Sequence, residues 1–297
     1  MLFRSGHSSL TLLNNNNSTG PCTSVGYSAL SSLTTGGNNT AVGYNALTAA
    51  VSTVKTIAVG TSALSTYTGT GDIVFMGSMY TGNIVPNTTR QSVIIGTDLY
   101  SGNIVTDSNV SIGYQCGISG SRNIAIGTYA RAEIQTVTTG NVTIGDFASY
   151  ADSGAASHTV SIGSSSKAAA DNSVAIGWAS NVGILAASSI AIGYLATTYG
   201  ANNIAIGKFS GVDSANTIAS TGSIALGNSA RSVGTNSIAI GAGAQVTATN
   251  AILIGPGVTA SVANSVTIGS SSHTAYNIYT AQWTNISDIR DKKDRSE

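Results

Sequence analysis

Between Gly26 and Gly269 the chain returns sixteen times to the phrase Ile-Ala-Ile-Gly or a close variant of it. The repeat glycines are Gly26, Gly43, Gly60, Gly77, Gly96, Gly113, Gly127, Gly145, Gly163, Gly177, Gly193, Gly207, Gly227, Gly241, Gly255 and Gly269. Their successive spacings are 17, 17, 17, 19, 17, 14, 18, 18, 14, 16, 14, 20, 14, 14 and 14 residues. A fixed floor of 14 with additions describes one structural coil carrying loops of variable length.

The residues around each glycine say what that coil is. The position just before is apolar in every repeat, and the position three before is β-branched, from Thr23 and Thr40 to Ile252 and Val266. Between them sits a mostly small residue, as in Ala125, Thr143, Ser161 and Ala239. Such alternation over three or four positions predicts a short strand with one buried face, with Ile and Val stacked in an interior ladder. The glycine then opens a turn conformation closed to other residues. Three residues after it comes Ala or Ser in most repeats (Ala29, Ala46, Ala130, Ala196), with Cys116 and Val258 in the same slot. A small side chain there lets a second short strand pack close to the first.

A 14-residue coil holds two short strands and two tight turns, but not a crossover helix, whose connection alone takes about a dozen residues. The expected fold is therefore all-β: a parallel β-solenoid, or β-roll, of about sixteen coils of the 14-residue type. At about 4.8 Å per coil the rod would be on the order of 75 Å long. Its core is thin, so a homotrimeric rod is expected to cover the flanks.

Composition narrows the function classes. Charged residues make up 8% of the chain, against about 25% in an average protein, and the net charge is zero. That leaves no electrostatic footprint for nucleic acid or an acidic membrane surface. No run is long and apolar enough for membrane insertion. Met1 to Leu13 lacks the sustained apolar core of a secretory signal. Cys22 and Cys116 form no framework or metal pattern and read as free thiols, with Cys116 a small buried residue.

Four segments follow from these patterns. Residues 1–22 do not repeat clearly and read as a cap or attachment segment, and residues 23–272 are the array. Residues 273–286 form an aromatic-rich junction. From Ser287 to Glu297 eight of eleven residues are charged, an abrupt change that marks a boundary.

The array, in forms such as Asn236-Ser-Ile-Ala-Ile-Gly241, resembles the head repeats of trimeric autotransporter adhesins. Phrases such as Asn39-Thr-Ala-Val-Gly-Tyr-Asn-Ala-Leu47 are similar to versions found in viral tail fibres. The resemblance implies a trimer of left-handed parallel β-rolls. Ser287-Asp288-Ile289-Arg290-Asp291-Lys292 resembles the Ser-Asp-x-Arg-x-Lys start of the self-cleaving intramolecular chaperone at the end of phage fibres. That resemblance implies Ser287 as the nucleophile, Asp288 as its neighbouring carboxylate, and Ile286–Ser287 as the scissile bond. The family's chaperone body continues well beyond this motif, so autocleavage by these last eleven residues is not expected.

Little else reads as chemistry. His7, His158 and His273 lack metal-ligand spacing, and no metal or cofactor is expected. Asp98 and Asp107 are the one candidate pair for a glycosidase groove, although Asp beside Gly is ordinary turn composition. Tyr27, Tyr44, Tyr114, Tyr194 and Trp178 directly follow repeat glycines and read as packing on the rod's flank. Non-periodic aromatics are the ligand candidates: Tyr67, Tyr80, Tyr100, Tyr199 and Phe209, and above all Tyr276, Tyr279 and Trp283 near the far end. The expected protein is not an enzyme but a virion fibre or spike. It would contact other virion proteins at one end and a host-surface glycan or protein at the other. A bacterial adhesin head and a β-solenoid depolymerase are the alternatives.

Overall fold

The computed structural model describes residues 3–10, 20–69, 71–78, 91–97, 108–118, 120–132, 138–149, 156–212, 220–269 and 276–278. Every regular element among them is a β-strand. A strand of three or four residues precedes each repeat glycine and pairs in parallel with the same strand one coil on. Thr23 lies opposite Thr40, Ile124 opposite Val142, and Val174 opposite Ile190. These strands make one 18-stranded sheet, so the chain is a parallel β-solenoid. The register is pinned because each coil repeats the same side chains at the same height.

The ladder starts earlier than the repeat phrase does. Phe3–Ser5 pairs in parallel with Thr23–Val25, and Gly6 has a φ of +123°, close to the +127° to +153° of the repeat glycines. Phe and Ser at the ends of that strand hide it from a search for β-branched and apolar residues. At the other end Tyr276–Ile278 pairs antiparallel with Val266–Ile268. A reversed strand there covers an edge that would otherwise template further pairing.

Two kinds of coil share this first ladder. From Lys167–Ala168 to Thr259–Ala260 a two-residue strand begins four residues after the glycine, and these form a second, seven-stranded parallel sheet. This is the second strand that the small residue after the glycine predicts; Ala196, Ala230 and Ala244 are fully buried there. In the early coils the extra residues are not side loops. Leu10, Leu30, Leu47 and Leu64 instead form a buried column, and Leu33, Ala50 and Tyr67 form another seven residues after their glycines. Tyr67 is thus a periodic core residue, 1% exposed, and not a free ligand contact.

The faces of the first strand are the reverse of the expected ones. The middle residue is the buried one: Ala41, Ala58, Ala125, Ala175, Ala191 and Ala205 are all fully covered. The Ile and Val on either side point outward and are only partly buried. A coil this narrow has room inside for Ala, Ser and Thr, with Phe75, Ile94 and Leu253 as the large exceptions. The alternation itself is as expected, but the large residues are on the wrong side of the wall.

Polar residues four before the glycine build a ladder inside the turn. Asn123 Nδ2 donates to Thr138 O at 3.2 Å, and its Oδ1 accepts from Asn141 N at 2.9 Å. Asn141 repeats this with Ala156 O and Thr159 N, at 2.9 and 3.0 Å. Asn203 does the same with Ser220 O and Ser223 N, at 2.7 and 2.9 Å. Each amide satisfies backbone groups that the turn leaves unpaired. The repeat glycines close the wall: a Cβ on Gly163 would lie 2.5 Å from the carbonyl oxygen of Gly177, at a φ of +127°.

Candidate binding surfaces

Two kinds of surface stand out on the rod. The first is the outward face of the long ladder. Its Ile, Val, Leu and Met columns run the length of the array, and several members are exposed, among them Met76, Leu226, Ile254 and, at 48%, Ile268. Single exposed apolar residues are ordinary, but a continuous apolar strip along a rod marks a contact surface.

The second surface is aromatic. The residue after each glycine falls in one column, because each coil's next amide donates to the carbonyl of the equivalent residue one coil back. Asn45 N bonds Tyr27 O at 2.9 Å, and Leu195 N bonds Trp178 O at 3.0 Å. Rings in this column therefore stack. His7 lies on Tyr27 with centroids 5.5 Å apart, and Tyr27 on Tyr44 at 5.4 Å. Farther along, Trp178 stacks on Tyr194 at 4.9 Å and 14°. Phe209 meets Tyr194 edge-on at 5.3 Å, and Lys208 Nζ stands 5.8 Å from the Tyr194 centroid. The neighbouring column holds Tyr129 stacked on Phe147 at 4.8 Å.

These rings lie on the flank, as their periodicity predicts, yet they stay open to solvent: Tyr44 is 53% and Trp178 49% exposed. Phe209 is also exposed, whereas Tyr199 is only partly so. The second residue after the glycine sits in the left-handed region in coil after coil, including Tyr129, Phe147 and Phe209 at φ of +54°, +53° and +55°. Later coils use Gly243 and Gly257 at that point. Bulky residues adopt this conformation at a cost, so their presence is a feature to explain.

Most of the sequence-predicted chemical residues fall on positions that the structure does not describe. Ser287, Asp288, Tyr279 and Trp283 lie outside the described residues, as do Asp98, Asp107, Tyr80, Tyr100 and His273. Tyr276 lies in the closing strand. His7 stacks in the aromatic column. Asp171 Oδ1 accepts from Ser157 N at 2.7 Å, a turn-holding role. Among the described residues no group of three His, Cys, Asp or Glu could hold a metal. No helix there is long and apolar enough to cross a membrane. Cys22 and Cys116 are free and buried. Burial pushes the Cys116 thiol above its usual range, and its Sγ–H donates to Ala125 O at 3.3 Å.

The asparagine ladder is what sequence reading missed. Its signal was present in the recurrent Asn or Ser four residues before the glycine. No curated protein matches the chain. Residues 156–180, 186–210, 219–244 and 232–257 match the family described as YadA head domain repeat (2 copies), so part of the double-ladder region is similar to that repeat.

Proposed function

We propose that this chain is a surface-displayed adhesive rod that works as a homotrimer. The observation that carries this reading is the outward Ile and Val ladder. Its apolar columns extend from the first coils to Ile268, and they need a partner of the same length and period. Another copy of this chain has that length and that period. Three rods packed along these faces would form one stiff fibre, displaying each side-facing site three times. Weak contacts then sum to strong attachment.

Two observations bear on what carries the rod. The YadA head repeats favour a bacterial adhesin head. The Tyr-Asn-Ala-Leu coils and the Ser287–Lys292 motif favour a viral fibre that contacts the host. Both carriers use the rod in the same way. Mass spectrometry of purified particles and of cell envelopes from the source separates them by where the chain is found.

Light scattering on the purified chain tests the assembly. The expected mass is about three times 29.7 kDa. A well-folded monomer would refute the trimer and move the depolymerase reading forward. Binding of the fluorescently labelled protein to host cells tests adhesion; absence of binding by an intact trimer would overturn it.

A further inference from the structure

The Trp178–Tyr194 stack ends, on its N-terminal side, at a rung of small residues, and that rung has the shape of a sugar-binding notch. Counting up the residues after the glycines gives Asp146, Ser164, Trp178, Tyr194 and Lys208. The adjoining column gives Phe147, Ser165, Ala179, Leu195 and Phe209. Backbone hydrogen bonds hold these columns in register: Ser165 N to Asp146 O at 2.8 Å, and Ala179 N to Ser164 O at 2.9 Å. Ser164 and Ser165 therefore form a low rung, with Phe147 and Asp146 one coil before and Trp178 one coil after.

The walls are built for a ring. Trp178 has one face against Tyr194, at 4.9 Å and nearly parallel, and its other face looks along the rod over Ser164. Ring-stacking distance and coil spacing are nearly the same, so the empty rung is one ring thick. Two coil spacings, about 9.6 Å, separate the Trp178 level from the Phe147 level. A saturated six-membered ring fits that gap, with its C–H face on the indole. Phe147 is exposed, on the left-handed turn that the coils share at this position.

The polar groups say which sugar. The Asp146 carboxylate is exposed and, among the described residues, makes no ion pair or side-chain hydrogen bond. It can accept from two hydroxyl groups, while Ser164 and Ser165 can donate or accept. A single carboxylate at the notch repels sialic and uronic acids. We propose that the Ser164–Ser165 notch binds a neutral hexopyranose of a surface glycan between Trp178 and the Asp146–Phe147 wall. The proposal rests on the adhesive reading and moves the contact from the rod's tip to its flank.

The test follows Trp178 fluorescence in the full-length protein with Trp283→Phe, which leaves Trp178 as the remaining one of two tryptophans. The probes are methyl β-galactoside, methyl β-glucoside and N-acetylneuraminic acid. A saturable change with either neutral glycoside at millimolar concentration, and none with the acid, is expected. Asp146→Asn should weaken binding about tenfold. Ser164→Tyr continues the ring stack and fills the notch, so it should abolish binding without lowering the melting temperature. A flat titration with both glycosides overturns the proposal, as does an unchanged response in Ser164→Tyr. Host-cell binding by the same protein separates the two readings. Cell binding with a flat titration refutes the notch alone, and saturable sugar binding without cell binding refutes adhesion alone.

Discussion

At the scale of single residues, three positions hold the coil together for different reasons. Asn141 fills a turn with one donor and one acceptor site, bonding Ala156 O and Thr159 N. Asn141→Leu keeps the volume and orphans those backbone groups, so unfolding in denaturant should show a loss of about 2–4 kcal/mol. Gly163 combines a φ of +127° with a neighbour's carbonyl where a Cβ would go. Gly163→Ala should cost about 3 kcal/mol or more, measured the same way. Cys22 and Cys116 are sealed from solvent. Neither should react with a water-soluble disulfide reagent until the protein unfolds, after which both should. Because burial raises the Cys116 thiol above its unfolded value, its contribution to stability is fully present below about pH 8.5. It is lost as pH rises through the folded value, so melting temperature should fall on the alkaline side, and Cys116→Ala should flatten that slope.

At the scale of the strand, the period was legible and the inside was not. The three-residue strands alternate as their sequence requires, yet Ala191 and Ala205 face in while Ile192 and Ile206 face out. Periodicity of two identifies two faces without saying which is covered. A hydrophobicity argument assigns the larger residues to the core; here the radius of the coil overrules it. Paired substitutions check this reading. Ala205→Ile overpacks the wall and should destabilise by about 1–3 kcal/mol or more, although it enriches the strand in apolar residues. Ile192→Asp with Ile206→Asp should leave the circular dichroism of the coil intact and reduce the mass in light scattering to that of one chain.

At the scale of the whole molecule, the rod is a one-dimensional stack in which each coil touches its neighbours. Parallel pairing from Phe3–Ser5 to Val266–Ile268 implies a long axis of about 80 Å. Small-angle scattering should return a maximum dimension near that value, somewhat larger for the ends, and a cross-section that grows with trimer formation while the length does not. The stretches similar to the YadA head domain repeat fall between residues 156 and 257, in the part where two ladders run together. The leucine-lined coils before Tyr67 use the same glycine stack with a wider interior. One rod thus accommodates two cross-sections because only the first ladder must stay in register.

What the sequence by itself determined is the architecture. Sixteen glycines at a floor spacing of 14 residues leave no room for helices and dictate parallel stacking. Tertiary structure decided what faces where. It put Tyr67 in the core with Leu33 and Ala50, recruited Phe3–Ser5 as a first strand, and turned the isoleucines outward. It also brought Asp146, Ser164 and Trp178 into one column across spacings of 18 and 14 residues. Spacing along a chain records the repeat but not the radius of the coil. The radius settles which side chains fit inside, and therefore which are left for a partner.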